Sequence, residues 1–392
     1  MLATTLLPVA LAGPLGGIAT AGGGTGTGVS GRGGGHASPY RGNGMWIWYV
    51  SRSSGGSLSR IARKARRHRI DTVYVKSSDG GDAWSQFTSK LVSGLHARGL
   101  RVCAWQFVYG HHPSAEARRG AGAVAKGADC LVIDAESSYE GHYAAADTYI
   151  DKLRHKIGAR FPTALASFPY VDYHPGLPYS VFLGPGGARF NLPQVYWHTI
   201  GDRVGEAYRH TFRFNRVYRS PIYPLGQTFD RPPTRQIQRF RRMALSYGFD
   251  GVSWWVWQDT TRREWRALKR RVNPVPGADR PSRAYPTLAR HSRGDLVVWA
   301  QEHLKGAGES VRVSGVYGRR TVRAVKGFQR AKNLDVDGKI GAQTWRRLLA
   351  VDPDMVDWSS RRSRSKSGAA GREPRSASLP AIRDEIPPPP QR

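Results

Sequence analysis

The stretch Cys130-Leu131-Val132-Ile133-Asp134-Ala135-Glu136 decides how this chain is read. It is a short apolar run, the length of a strand rather than of a buried helix. Side chains of a strand alternate between two faces, so Val132, Asp134 and Glu136 share one face while Leu131 and Ile133 share the other. Both faces begin apolar, so both are covered. Two acids late on one face of a covered strand are tolerable only where the strand opens onto water or onto hydrogen-bond partners.

Similar runs flank it on both sides: 45–50, 72–76, 101–108, 163–168, 193–198, 222–227 and 251–258. Helical patterns separate them near 58–69, 85–98, 114–126, 142–158, 203–215, 234–247 and 261–271. Strands alternating with helices imply parallel pairing through right-handed crossovers. Eight such repeats across 45–272 predict a (β/α)8 TIM barrel, which typically takes about 250 residues; an open doubly wound sheet is the alternative. Chemistry in such a barrel sits at the C-terminal ends of the strands. Taken by parity, the inward late-strand set is Lys76, Gln106, Asp134, Glu136, Tyr196, His198, Gln227, Trp255 and Trp257.

The Asp134-x-Glu136 pair resembles the motif of two groups of barrel glycosidases, the family-18 chitinases and the family-25 lysozymes. In family 18 the glutamate is the acid, the aspartate two before it orients the substrate acetamide, and a tyrosine from the sixth strand assists. Glu136, Asp134 and Tyr196 match these positions. The run Gly251-Val252-Ser253-Trp254-Trp255-Val256-Trp257 is similar to that family's last strand, whose tryptophan floors a sugar subsite. The resemblance thus implies catalysis by Glu136, Asp134 and Tyr196. It also implies substrate binding by Trp255 and Trp257, with Lys76, Gln106, Gln227 and His198 at the same mouth. Position 132 is Val and the run 45–49 holds no Asp, two departures from these families. The chemistry fits independently. Glycoside cleavage needs a carboxylic acid to protonate the leaving oxygen, and an acetamide can replace the second carboxylate as nucleophile. Crowding by Asp134 is expected to raise the Glu136 pKa. The rival account pairs both acids with Lys76 or rim arginines as plain structure.

Residues 290–351 carry apolar stripes at helical spacing: Leu296, Trp299 and Leu304, then Val322, Val325 and Phe328, then Trp345, Leu348 and Leu349. Three short helices follow. Gly294-Asp295-Leu296, Gln301, Gly315-Val316-Tyr317-Gly318, Thr321, Phe328-Gln329, Asp337-Gly338-Lys339-Ile340-Gly341 and Thr344-Trp345 together resemble the peptidoglycan-binding domain of bacterial wall hydrolases. Ser314 stands where that family usually has Asp.

The remaining segments read as accessories. Residues 1–21 form a small apolar leader ending Ala19-Thr20-Ala21, read as a signal peptide; 22–44 is a Gly-rich linker, 273–289 a Pro-rich linker, and 352–392 a basic, Pro-rich tail. Across 392 residues, 60 Lys and Arg against 29 Asp and Glu leave a net charge of +31. That charge suits either nucleic acid or a polyanionic cell wall. No basic recognition helix or aromatic–basic repeat supports nucleic acid. No internal apolar run is long enough to span a membrane, so no stable membrane anchor is expected after processing. Cys103 and Cys130 are read with opposite parity, which predicts no disulfide. His111, His112 and Glu116 lack a third ligand at helical spacing, so no metal and no cofactor are expected. The expected function is a secreted, wall-associated peptidoglycan glycosidase, against a non-catalytic peptidoglycan-binding protein with a degenerate barrel. Oligomeric state is not legible.

Overall fold

A computed structural model describes residues 38–276 and 284–360. The expected leader at 1–21 lies outside them, as do much of the Gly-rich linker and the tail beyond residue 360.

Strands and helices alternate as β1 (Gly42–Ile47), α1 (Leu58–Arg67), β2 (Thr72–Asp79), β3 (Asp82–Ala83), α2 (Ser89–His96), β4 (Arg101–Val108), α3 (Pro113–Ala125), β5 (Cys130–Ala135) and α4 (Tyr143–Ile157). They continue as β6 (Thr163–Ser167), α5 (Tyr179–Leu183), β7 (Phe190–Pro193), α6 (Trp197–Ile200), α7 (Val204–Asn215), β8 (Leu225–Gln227), α8 (Thr234–Ser246), β9 (Gly251–Trp255) and α9 (Arg262–Lys269). The helices form for ordinary reasons. In α1, Ile61, Ala62 and Ala65 are buried and Ser57 caps the Arg60 amide; α9 opens with a reciprocal Thr261–Glu264 capping box.

The sheet order is β7-β6-β5-β4-β2-β1-β9-β8, parallel throughout, with only the short β3 antiparallel to β2. Parallel bridges Asn191–Ile222 and Gln194–Leu225 join the β7 edge to the chain entering β8. The ring therefore closes, and the architecture is a (β/α)8 barrel. Its interior is aromatic. Trp46, Trp105 and Trp255 lie 5.3–5.4 Å apart by ring centroids, and Tyr40 seals the lower end with its hydroxyl on the Leu131 carbonyl.

The structure corrects the reading of the cysteines. Cys103 and Cys130 are disulfide-bonded, with Cα atoms 4.6 Å apart. They stand directly opposite each other in the β4–β5 register, both fully buried in the barrel interior. The error was one of parity. Placing Gln106 inward turns Cys103 outward, since a slip of one residue exchanges the two faces of a strand. In the structure Cys103, Trp105 and Phe107 face inward, and Gln106 lies on the helix side, donating to the Glu116 carbonyl at 3.2 Å.

Three helices complete the chain: α10 (Asp295–Gly306), α11 (Arg319–Ala331) and α12 (Ala342–Leu348). Two glutamines organise this module in the same way. The Gln301 side chain accepts from the Ser314 and Gly315 amides and donates to Thr321; Gln329 accepts from the Gly338 amide and donates to Asp337 and Thr344. Gly315 and Gly338 have φ of +69° and +72°, so both turns need glycine.

The module is docked on the barrel. Asp295, wholly buried, accepts from the Tyr143 and Tyr218 hydroxyls and from the Ser180 hydroxyl and amide, at 2.7–3.0 Å. The Trp299 indole donates to the Val217 carbonyl at 2.8 Å. Beyond the module the chain returns to α4, where Trp358 packs 4.7 Å from Tyr143 and the Ser359 amide donates to Asp147. Residues 352–360 thus pack on the barrel, although the sequence reads them as tail. Gly42–Gly44, read as linker, belong to β1.

Two predictions follow from this packing. The disulfide closes a loop of 27 residues, so the Cys103→Ala/Cys130→Ala variant should lose about 3–4 kcal/mol on the chain-entropy account, read from urea unfolding. The unreduced native chain should show no free thiol. Burial raises the Asp295 pKa to about 6 from 3.8. A raised carboxyl binds its proton more tightly when folded, so its stabilising contribution is full below about pH 4 and is lost as pH rises through about 6. The stability of wild type relative to Asp295→Asn should therefore rise by roughly 2 kcal/mol between pH 7.5 and 4.5, measured by denaturation at each pH.

Candidate functional site

The C-terminal ends of the strands enclose a cavity of about 310 Å³. Trp48, Tyr49, Trp84, Trp105, Phe107, Tyr109, Tyr196 and Trp255 line it, with Lys76, Asp79, Asp134, Glu136 and Gln194 as the other polar groups. The walls are aromatic and the polar groups converge on one side, the usual composition of a small-ligand site.

Asp134 lies near the end of β5 and is buried; Glu136 follows just past the strand and is half-buried. Both face the cavity, as parity requires. One amide joins them: the Gln194 Nε2 donates to Asp134 Oδ1 and to Glu136 Oε1, at 2.8 Å each. Burial pushes the Asp134 pKa well above the ordinary carboxylate range, the Glu136 charge adds to it, and Lys76 and Gln194 oppose it. The pKa of the deeper acid, Asp134, is thus raised by burial and by the crowding that the sequence led one to expect of the pair. Two adjacent carboxyls, one of them buried, disfavour the doubly ionised state, so the pair keeps a proton to higher pH than an isolated carboxyl would. Burial, then the charges of Asp134 and Glu136, push the Tyr196 phenol upward. It remains a hydrogen-bond donor.

Two strands along the ring, on β2, sits a buried cation. Lys76 Nζ donates to Asp79 Oδ2 at 2.5 Å and lies 4.1, 4.4 and 4.9 Å from the ring centroids of Trp48, Trp84 and Trp105. Desolvation lowers its pKa, and Asp79 counters that. The Tyr109 hydroxyl donates to the other Asp79 oxygen at 2.8 Å.

Of the residues expected at the mouth, Lys76, Asp134, Glu136, Tyr196 and Trp255 line the cavity. The other four do not. Gln106 faces α3. Trp257 packs on Trp265, 4.9 Å between centroids, behind the barrel wall. Gln227 is an internal strut, accepting from the His198 and Thr199 amides. His198 lies exposed on α6.

Sequence reasoning missed Asp79 and Gln194. A bulge in β2 between Lys76 and Ser78 shifts its register, so Lys76 and Asp79 pair with the inward-facing Trp105 and Phe107. Strict alternation cannot anticipate that. Gln194 has the parity of Tyr196, and that signal was available. Among the described residues, no cluster of three or more His, Cys, Asp or Glu could hold a metal ion. Glu116 accepts from the Tyr109 and Gly110 amides and from Tyr139, a structural role.

Comparisons with known proteins bear on both halves of the chain. Residues 293–348 match the profile of a peptidoglycan binding domain family, so the chain carries such a domain at its C-terminal side. No curated protein matches the chain in sequence. Among solved structures, it is similar to the spore cortex-lytic enzyme SleL of Bacillus cereus, with TM-score 0.46, 11% identity, and coverage of 60% of this chain and 75% of that one. It is similar to a chitinase from Chromobacterium violaceum, with TM-score 0.41, 11% identity, and coverage of 57% and 97%. A sugar phosphate isomerase/epimerase from Parabacteroides distasonis is matched as well, with TM-score 0.38, 11% identity, and coverage of 58% and 95%.

The bridge by Gln194 gives a direct test. Gln194→Leu removes the shared donor and takes it from the buried Asp134 oxygen, which costs roughly 1–3 kcal/mol. The Asp134 carboxyl should titrate at still higher pH in the variant, followed by carboxyl carbon NMR. An unchanged titration would show that the bridge does not hold the pair.

Proposed function

We propose that this protein is a secreted cell-wall glycosidase that hydrolyses the N-acetylated glycan strands of peptidoglycan, held on the wall by its C-terminal domain. The observation that carries the reading is the Asp134–Gln194–Glu136 bridge at one side of an aromatic cavity at the barrel mouth.

The roles follow from position. Glu136, the more exposed acid, delivers the pair's proton to the leaving oxygen of the scissile bond. Asp134, deeper and shielded, holds the acetamide of the adjoining sugar through a hydrogen bond. The acetamide oxygen attacks the anomeric carbon as the glycosidic bond breaks, forming a cyclic intermediate. Water activated by the now ionised Glu136 then opens it and returns the proton. The Tyr196 phenol donates to the acetamide oxygen and holds it in line with the anomeric carbon, while Asp134 accepts from the acetamide N–H as positive charge develops on that group. Trp48, Trp84 and Trp255 present flat faces suited to sugar rings, and the Lys76–Asp79 pair offers polar contacts to hydroxyls. Export is supported by the buried disulfide, since such bonds persist in oxidising compartments.

Glu136→Gln keeps the shape and removes the transferable proton. Reducing-sugar release from purified peptidoglycan should fall by about 10²–10⁴-fold, while wall binding and the melting temperature stay near wild type. Asp134→Asn should also impair turnover, and Tyr196→Phe less so. Lytic activity that survives Glu136→Gln would reject this site. A wild type inactive on several walls would leave a binding protein with a silent barrel.

A further inference from the structure

Helix α1 carries Arg60, Arg63 and Arg67 exposed along one stripe, with half-buried Lys64 among them. Helix α9 carries Arg262, Arg266 and Lys269 exposed at helical spacing. The two helices are neighbours because β1 pairs with β9. They touch through Lys64, whose Nζ lies 4.3 Å from the Trp265 ring, and through His68, 4.9 Å from the same ring. Charge from Lys64, Lys269 and Arg67 adds to burial in lowering the His68 pKa, so the cations of both helices act on one point.

Neither helix supplies an acid that neutralises this face. Helix α1 has no acidic residue, and the one acid of α9, Glu264, is buried and caps the Thr261 amide. Among the described residues no carboxylate pairs with these six exposed cations. Like charges three or four apart weaken a helix. The arrangement is thus maintained against its own repulsion. A groove of about 560 Å³ runs along α1, lined by Ser54, Gly55, Arg60, Arg63, Lys64 and Arg67. It starts close in sequence to Tyr49, which lines the barrel cavity.

We infer that the α1–α9 face is a second wall-binding surface, whose partner is a phosphodiester-linked anionic polymer attached to the cell wall. Cations stepped along a helix, about 5–6 Å apart, match a chain that carries a charge at each repeat. Guanidinium forks can each grip two phosphate oxygens. The peptidoglycan-binding domain brings the protein to where such polymers lie. This face is distinct from that domain, which docks on α4 and α5 at the opposite side of the strand ring.

The test measures binding of the full chain to bacterial wall sacculi, before and after hydrofluoric acid strips their phosphodiester polymers. It compares wild type with Arg60→Glu/Arg63→Glu/Arg266→Glu/Lys269→Glu, and with Gln at the same four positions. The Gln set serves if charge reversal disturbs folding, and melting curves confirm the fold of each. Wild type should bind intact sacculi about tenfold or more tightly than stripped ones, with an affinity that falls steeply with salt. The variants should bind both at the stripped level, with a shallower salt slope. The polymer released from the wall should compete. Variants that bind intact sacculi like wild type would overturn the surface. Equal wild-type binding to both sacculi, or duplex DNA competing better than the released polymer, would overturn the partner. The readout is binding alone, so it stands whether or not the barrel cleaves glycan.

Discussion

The structure depends on keeping charge out of a closed barrel except where the strands run out. Inside the ring the layers are filled by Trp46, Tyr74, Trp105 and Val132, and by the Cys103–Cys130 pair, all without charge. Only at the mouth do Lys76, Asp79, Asp134 and Glu136 appear together. Each is offset differently. Lys76 has Asp79 and three indole faces; Asp134 has the Gln194 donor and a pKa raised by burial. A buried charge is tolerated only with such partners. Because the offsets come from β1, β2, β4, β5 and the end of β7, the site exists only in the closed ring.

A second buried carboxylate shows what a purely structural solution looks like. Asp295 is wholly buried and meets four donors. Its acceptor capacity is filled, and its place at the junction of module and barrel explains its burial. Asp134 and Glu136 instead share the Gln194 amide and line about 310 Å³ of open space. A guest can reach them there. The contrast separates a lock from a binding site without appeal to likeness.

Much of this was legible in the sequence, and the rest failed for identifiable reasons. The eight apolar runs and the Asp134–Glu136 parity depend only on alternation, which holds within a regular strand. Lys76 was placed correctly because it precedes the β2 bulge; Asp79 was missed because it follows it. Gln106 and Cys103 were misplaced by one parity slip, since a polar residue in β4 was assumed to face the mouth. It faces a backbone carbonyl of α3 instead. Trp257 and His198 fell outside because β9 ends at Trp255 and β7 at Pro193, so alternation no longer governs them. The docking of the module could not be read at all. Tyr143, Ser180, Tyr218 and Asp295 converge across long separations, and no local pattern announces such a contact.

That docking changes what the wall-binding domain can do. A module on a free linker raises only the local concentration of its partner near the barrel. Here Asp295, the Trp299 indole, the Arg219 contact to the Leu349 carbonyl and the returning segment at Trp358 fix the module against the barrel on several sides. Attachment through the module then sets the direction in which the mouth faces. The basic face on α1 and α9 lies across the ring from α4 and α5, so a second attachment there would leave the barrel little freedom to roll. Under the proposed function, a glycan strand held at the module meets the Asp134–Glu136 pair at a set angle. Wall binding would then contribute orientation as well as affinity, in the way that prior positioning lowers the entropic part of a barrier.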